Sequence, residues 1–136
     1  MGMGAIDRLS EAMAYPVEER KRGVASTEFL VDGGVVLAQE EHGQLRFVRK
    51  LGAVAEGGLA QLAGYAAGRM LKEEAVLAWD PRAKGLLLWQ EVPTSGSDEL
   101  LLREFDLFLD SCDWWESRMK ELATGGRPIA EMVILP

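Results

Sequence analysis

Between Ser97 and Ala123 the apolar residues Leu101, Phe105, Phe108, Cys112, Trp115, Met119 and Leu122 recur at alternating steps of three and four. A helix gathers such a series onto one face, so the stretch predicts a long amphipathic helix that needs a broad apolar surface beneath it. Both ends are marked. Ser97 suits an N-cap, and Asp98 and Glu99 stand against the positive end of the helix dipole. Gly125-Gly126, with Pro128 beyond, closes the run. This helix implies an architecture and no reaction, and no catalytic constellation accompanies it elsewhere in the chain.

The surface it needs is built upstream. Ile6, Leu9 and Met13 space a short first helix that ends before Pro16, and the charged stretch from Glu18 to Gly23 reads as a solvated connection. Three strand-like runs follow. Ser26 to Val31 stops at Asp32-Gly33-Gly34, Val35 to Gln39 turns at Glu41-His42-Gly43, and Gln44 to Leu51 sets Leu45 and Phe47 against Arg46 and Lys50. Turns this short allow antiparallel pairing only. Helical spacing returns from Gly58 to Leu71, with Leu59, Leu62, Ala66 and Met70 on one side. Two more strands, Ala75 to Trp79 and Leu86 to Val92, flank Asp80 to Gly85 and place Trp79 and Trp89 near opposite ends of a hairpin. Thr94-Ser95-Gly96 leads into the terminal helix.

The order α-β-β-β-α-β-β-α predicts an α+β fold, an antiparallel sheet with helices packed on it. One domain spans residues 1–125, and residues 126–136 form an apolar tail that either packs back on the core or adds as an edge strand. At 136 residues the chain is long enough to bury a sizeable core. Its 15 basic against 22 acidic residues give a net charge of −7, a sign that repels phosphate backbones and anionic membrane surfaces. The single Cys112 precludes an internal disulfide. No apolar run reaches the roughly 18–20 residues that cross a bilayer, and the start shows no basic-then-apolar leader. A cytoplasmic protein is expected.

Candidate sites are few. His42 with Glu40 and Glu41 reads as a hairpin turn, because adjacent carboxylates on a strand point to opposite faces and no second His or Cys lies near. Cys112 lies on the apolar stripe, where a thiol packs and stays inert. Neither Gly2 and Gly4 nor Gly33-Gly34 makes a phosphate loop, and the carboxylates Asp106, Asp110, Asp113, Glu116 and Glu121 read as the solvated flank of the last helix. No metal or cofactor is expected. Ala60, Gly64 and Gly68 form a flat strip on the middle helix, open either to close packing within the chain or to a subunit interface, with the interface favoured. The sheet is also apolar on both faces. Phe29, Val31, Leu37, Leu45 and Phe47 are expected to face the helices, with Leu30, Val36 and Val48 on the opposite parity, and Leu87 and Trp89 oppose Leu86 and Leu88. Such a sheet is covered on both sides or binds something.

The layout resembles the class I chaperones of bacterial type III secretion, the Tir-chaperone (CesT-like) family. STEFLVDGGVVLAQEEHGQLRFVRKLG is similar to their opening meander, GLAQLAGYAAGRMLKEEAVLAWDPRAKGLLLWQEVP to their middle helix and hairpin, and LLREFDLFLDSCDWWESRMKEL to their terminal helix. The likeness runs from about Ile6 to Ala123, and the apolar ending from Pro128 to Pro136 departs from it. The resemblance implies a non-enzymatic homodimer that binds the N-terminal region of a secreted effector in extended form and keeps it soluble for export, with secretion-apparatus components as further partners. It places effector binding on Ile6, Leu9, Met13, Leu30, Val36 and Val48. Dimerisation falls to Leu62, Gly64, Tyr65, Gly68, Val76 and Ala78. A regulatory or adaptor protein of the same fold, and a small ligand-binding domain or enzyme, are the other readings.

Overall fold

The described residues of the computed structural model are 4–15, 23–31, 33–54, 56–69 and 74–125. The elements run α1 (Ala5–Ala12), β1 (Ser26–Val31), β2 (Gly34–Glu41), β3 (Gln44–Ala53), α2 (Glu56–Arg69), β4 (Val76–Asp80), β5 (Gly85–Pro93) and α3 (Asp98–Gly125). The five strands form one sheet in the order β1-β2-β3-β5-β4, with every neighbouring pair antiparallel. The charged connection at residues 18–22 and the apolar tail at 126–136 lie outside the described residues.

α3 begins as its sequence dictates. Ser97 Oγ accepts the Leu100 N–H at 3.1 Å, and the Ser97 carbonyl accepts that of Leu101 at 3.0 Å. Its stripe of Leu101, Phe105, Phe108, Cys112 and Trp115 is buried, and Met119 packs half-buried against the same core. Beneath it lie Phe29, Val36, Ala38, Leu45, Phe47, Leu88 and Val92 of the sheet, joined by Ile6 and Leu9 of α1. Phe105 meets Phe47 edge-on at 5.0 Å and Phe29 at 6.0 Å, an arrangement the ring quadrupoles favour. Each ring withdrawn from water contributes about 1.5–3 kcal/mol.

This helix face of the sheet corrects one expectation. Val36 lies on it beside Phe29, its register partner, whereas Leu37 pairs with Val48 on the other face. The cause is the turn. Val31 pairs with Gly34 across two intervening residues, so odd positions of β1 share a face with even positions of β2.

Arg49 also lies on the helix face and is buried. Its guanidinium donates to Glu116 Oε2 of α3 through Nε at 2.8 Å, and Nη2 stands 2.7 Å from the same oxygen in an ion pair, the partner a buried charge requires. Gly34 makes the room, since a Cβ there would overlap that guanidinium. A bulge between Lys50 and Gly52 turns the end of β3, and Gly85 lies so close that a Cβ would collide with the Gly52 carbonyl.

α1 is anchored at three places. Gly4 offers no capping side chain, and Glu40 Oε1 of β2 instead accepts the Ala5 N–H at 3.0 Å. Arg8 donates to Asp98 Oδ1 at 2.7 Å, to the Thr94 carbonyl at 2.9 Å and to the Gly96 carbonyl. At the C-terminus the Tyr15 N–H donates to the Ser10 carbonyl at 2.9 Å and the Ala14 N–H to that of Glu11 at 3.1 Å, a Schellman closure. Ala14 occupies its left-handed position at φ 56°, where glycine is usual, at a cost of about 1 kcal/mol.

Candidate functional site

With α1 and α3 on one face, the register fixes what the other presents. Leu30, Val35, Leu37, Val48, Trp89, Leu87, Val76 and Ala78 share this open face and run as a band across all five strands. α2 does not cover it by packing on the sheet's far side: Leu62 joins the core, and Tyr65 meets Trp114 of α3 edge-on at 5.8 Å. At the β1 end the band is bare, Leu30 being 61% and Val35 46% exposed. Towards the β2–β3 turn it acquires a polar border. Arg46 lies 5.2 Å over the Trp89 ring and donates to Glu91 Oε2 through Nε at 3.1 Å and Nη2 at 2.6 Å. Gln39, Glu41, His42 and Gln44 line a shallow recess with this pair.

The residues expected to bind an effector are divided by the fold. Leu30 and Val48 stand on the open face, and Met13 is half-buried at the end of α1. Ile6, Leu9 and Val36 are at most 1% exposed and serve the core, leaving them no surface to offer in this structure. Val35 and Leu37 belong to the band although periodicity did not select them. The two-residue turn before β2 was the signal that locates them, because it sets which parity faces out.

The residues expected at a dimer interface divide as well. Leu62 is core. Gly64 and Gly68 are exposed on α2, and a Cβ at either would meet nothing within 4 Å, so packing among the described residues does not explain these two glycines. Tyr65 is half-buried against Trp114, and Val76 and Ala78 are half-buried on the edge strand β4. Behind Tyr65 the helices are joined by a stack: Arg69 lies 3.8 Å and Arg118 4.9 Å over the Trp114 ring. Burial and the Arg118 charge pull the Arg69 pKa down. Trp115, 5.0 Å from Trp114 and nearly perpendicular, is buried below it.

The remaining candidates stay structural. Glu40 and Glu41 do point to opposite faces, one capping α1 and the other 3.2 Å from His42 Nδ1. Burial pushes the Cys112 thiol up to about 12, so it holds its proton at neutral pH. Among the described residues no three or more His, Cys, Asp and Glu side chains gather where a metal would bind, and no helix is long and apolar enough to cross a membrane.

No protein-family model and no curated protein matches this chain. Solved structures do match its fold. The chain is similar to one in the structure of the HopA1–SchA chaperone–effector complex, with a TM-score of 0.65 and 16% identity over 83% of this chain and 91% of that one. A chain of the heterodimeric ExoU–SpcU complex from the type III secretion system of Pseudomonas aeruginosa gives 0.62 and 18%, over 83% and 95%. A chain of the ExoT–SpcS complex from Pseudomonas aeruginosa gives 0.63 and 15%, over 81% and 92%. At these identities the likeness establishes the fold alone, an α+β architecture of an antiparallel sheet with helices packed on it.

Proposed function

We propose that this chain is a class I type III secretion chaperone of the Tir-chaperone (CesT-like) kind, which binds the N-terminal region of a secreted effector and keeps it soluble and ready for export. The observation that carries this reading is the open-face band from Leu30 to Leu87, an apolar surface across β1, β2, β3 and β5 with none of the described helices laid over it. A soluble monomer rarely leaves such a surface unused. An extended segment fits it, since strands at a sheet edge supply main-chain hydrogen bonds and the alternating side chains of an added segment reach apolar ground. One solved complex of the same fold is described as a chaperone–effector complex, which supports this choice of client. The same reading makes the protein a cytoplasmic, non-enzymatic homodimer joined through Gly64, Gly68 and β4, with secretion-apparatus components as further partners.

Co-expression with candidate effectors encoded beside its gene tests the proposal. A neighbouring protein is expected to co-purify through its N-terminal segment and to gain solubility. If no candidate does either, the chaperone reading is lost.

A further inference from the structure

β1 is an edge strand, and its hairpin with β2 dictates which main-chain groups look outward. Val31 and Gly34 close a two-residue turn and therefore exchange hydrogen bonds, and the alternation continues to Ala25, whose carbonyl accepts the Glu40 N–H at 2.7 Å. Val31, Phe29 and Thr27 thus bond inward, while Leu30 and Glu28 point their N–H and C=O groups away from the sheet. An outward row of this kind is a template for another strand. Here one position is taken: the Leu30 N–H donates to the Tyr15 hydroxyl at 3.1 Å. The Tyr15 ring stands edge-on against Phe29 at 5.0 Å, and the Schellman turn through Ala14 at φ 56° aims it there. A non-glycine residue at such a φ is strained, and it persists because the contacts around it hold it there.

We propose that Tyr15 is a displaceable plug on the outer edge of β1. Its hydroxyl holds the position that a main-chain carbonyl of an added strand would take, so an extended effector segment docks there only when Tyr15 swings out. The docked segment would then extend the open face beside Leu30 and Val35. The proposal rests on the chaperone reading above, which supplies an extended peptide as the client. Two substitutions act in opposite directions. Tyr15→Phe keeps the ring on Phe29 and removes the acceptor, whereas Ala14→Gly relieves the turn and seats the plug more firmly.

Amide exchange by NMR on the full chain reads the plug directly. Tyr15→Phe is expected to speed exchange at Leu30 by about tenfold, leave the inward-bonded Phe29 amide unchanged, and Ala14→Gly to slow Leu30. Calorimetric titration with a synthetic peptide of the co-purifying effector's N-terminal segment reads the gate: about three- to tenfold tighter binding to Tyr15→Phe and weaker binding to Ala14→Gly, because the competent fraction changes. Unchanged exchange at Leu30 in Tyr15→Phe overturns the plug. Equal or weaker peptide binding once Leu30 is deprotected overturns the gate, even with the effector still co-purifying, and then the chaperone reading stands without it. Absence of any co-purifying effector instead removes the chaperone reading, and the docking role of this edge goes with it.

Discussion

At the scale of single residues, burial decides what the chemistry of a side chain is allowed to be. Cys112 faces Arg49 across the core, yet desolvation outweighs that favourable charge and pushes its thiol from its ordinary value near 9 to about 12. Iodoacetamide is therefore expected to leave Cys112 unmodified in the folded protein at pH 8 and to alkylate it once denaturant is added; rapid labelling of the native chain, read by mass spectrometry, would contradict its burial. The sign for stability follows. Above about pH 9 the unfolded thiol loses its proton while the folded one keeps it, so this residue makes stability fall between about pH 9 and pH 12. Its place on the stripe was legible from spacing alone. Glu116 was not: it was read as part of a solvated flank, yet it partners the buried Arg49. Arg49 carries no mark in the sequence, because a charge beneath a helix depends on a glycine in a neighbouring strand, a coincidence that no local pattern announces.

At the scale of elements, periodicity disclosed nearly every helix and strand, since each owes its position to apolar residues at its own repeat. What it left wrong was a relation between two elements. The parity of β2 depends on the number of residues in the turn before it, and counting Leu37 with Phe29 misplaced both Val36 and Leu37. The surfaces proposed to meet a partner were legible only as surplus: two glycines that weaken α2 and apolar residues on the wrong side of a sheet. The glycines now have a sharper test. Because a Cβ at Gly68 meets nothing within 4 Å and the position is exposed, Gly68→Leu is expected to keep the fold and raise helix propensity by about 1 kcal/mol, while breaking the proposed dimer. Size-exclusion chromatography with light scattering decides it: a monomer or aggregate agrees, and an unchanged soluble dimer removes α2 from the interface.

At the scale of the whole molecule, the sheet divides labour between its faces. The helix face holds the fold together, and the open face, which adds nothing to that core, is the one proposed to meet a client. Leu30→Thr with Val48→Thr keeps strand-forming residues on the open face and is expected to change stability by no more than about 1 kcal/mol. The same pair of changes is expected to weaken effector capture at least about tenfold, as loss of two apolar contacts implies. Val36→Thr is the contrasting variant, since an unpaired hydroxyl in the core costs about 1–3 kcal/mol. Thermal unfolding beside pull-down separates the two. Effector capture unaffected by the double variant would move the client off this face.

The Arg8 clamp carries a consequence for how the chain is made. Its partners Thr94, Gly96 and Asp98 lie 86 to 90 positions further along. During synthesis α1 therefore emerges long before this clamp can close on it, and β1 to β3 follow with the part of their core face that α3 covers still bare. At about 5–20 residues per second the ribosome takes several seconds to deliver the clamp's partners. For that interval the nascent sheet shows apolar residues on its open face and on the part of its core face that α3 will cover, so a protein proposed to shield the unfolded start of another passes through a comparable exposure itself.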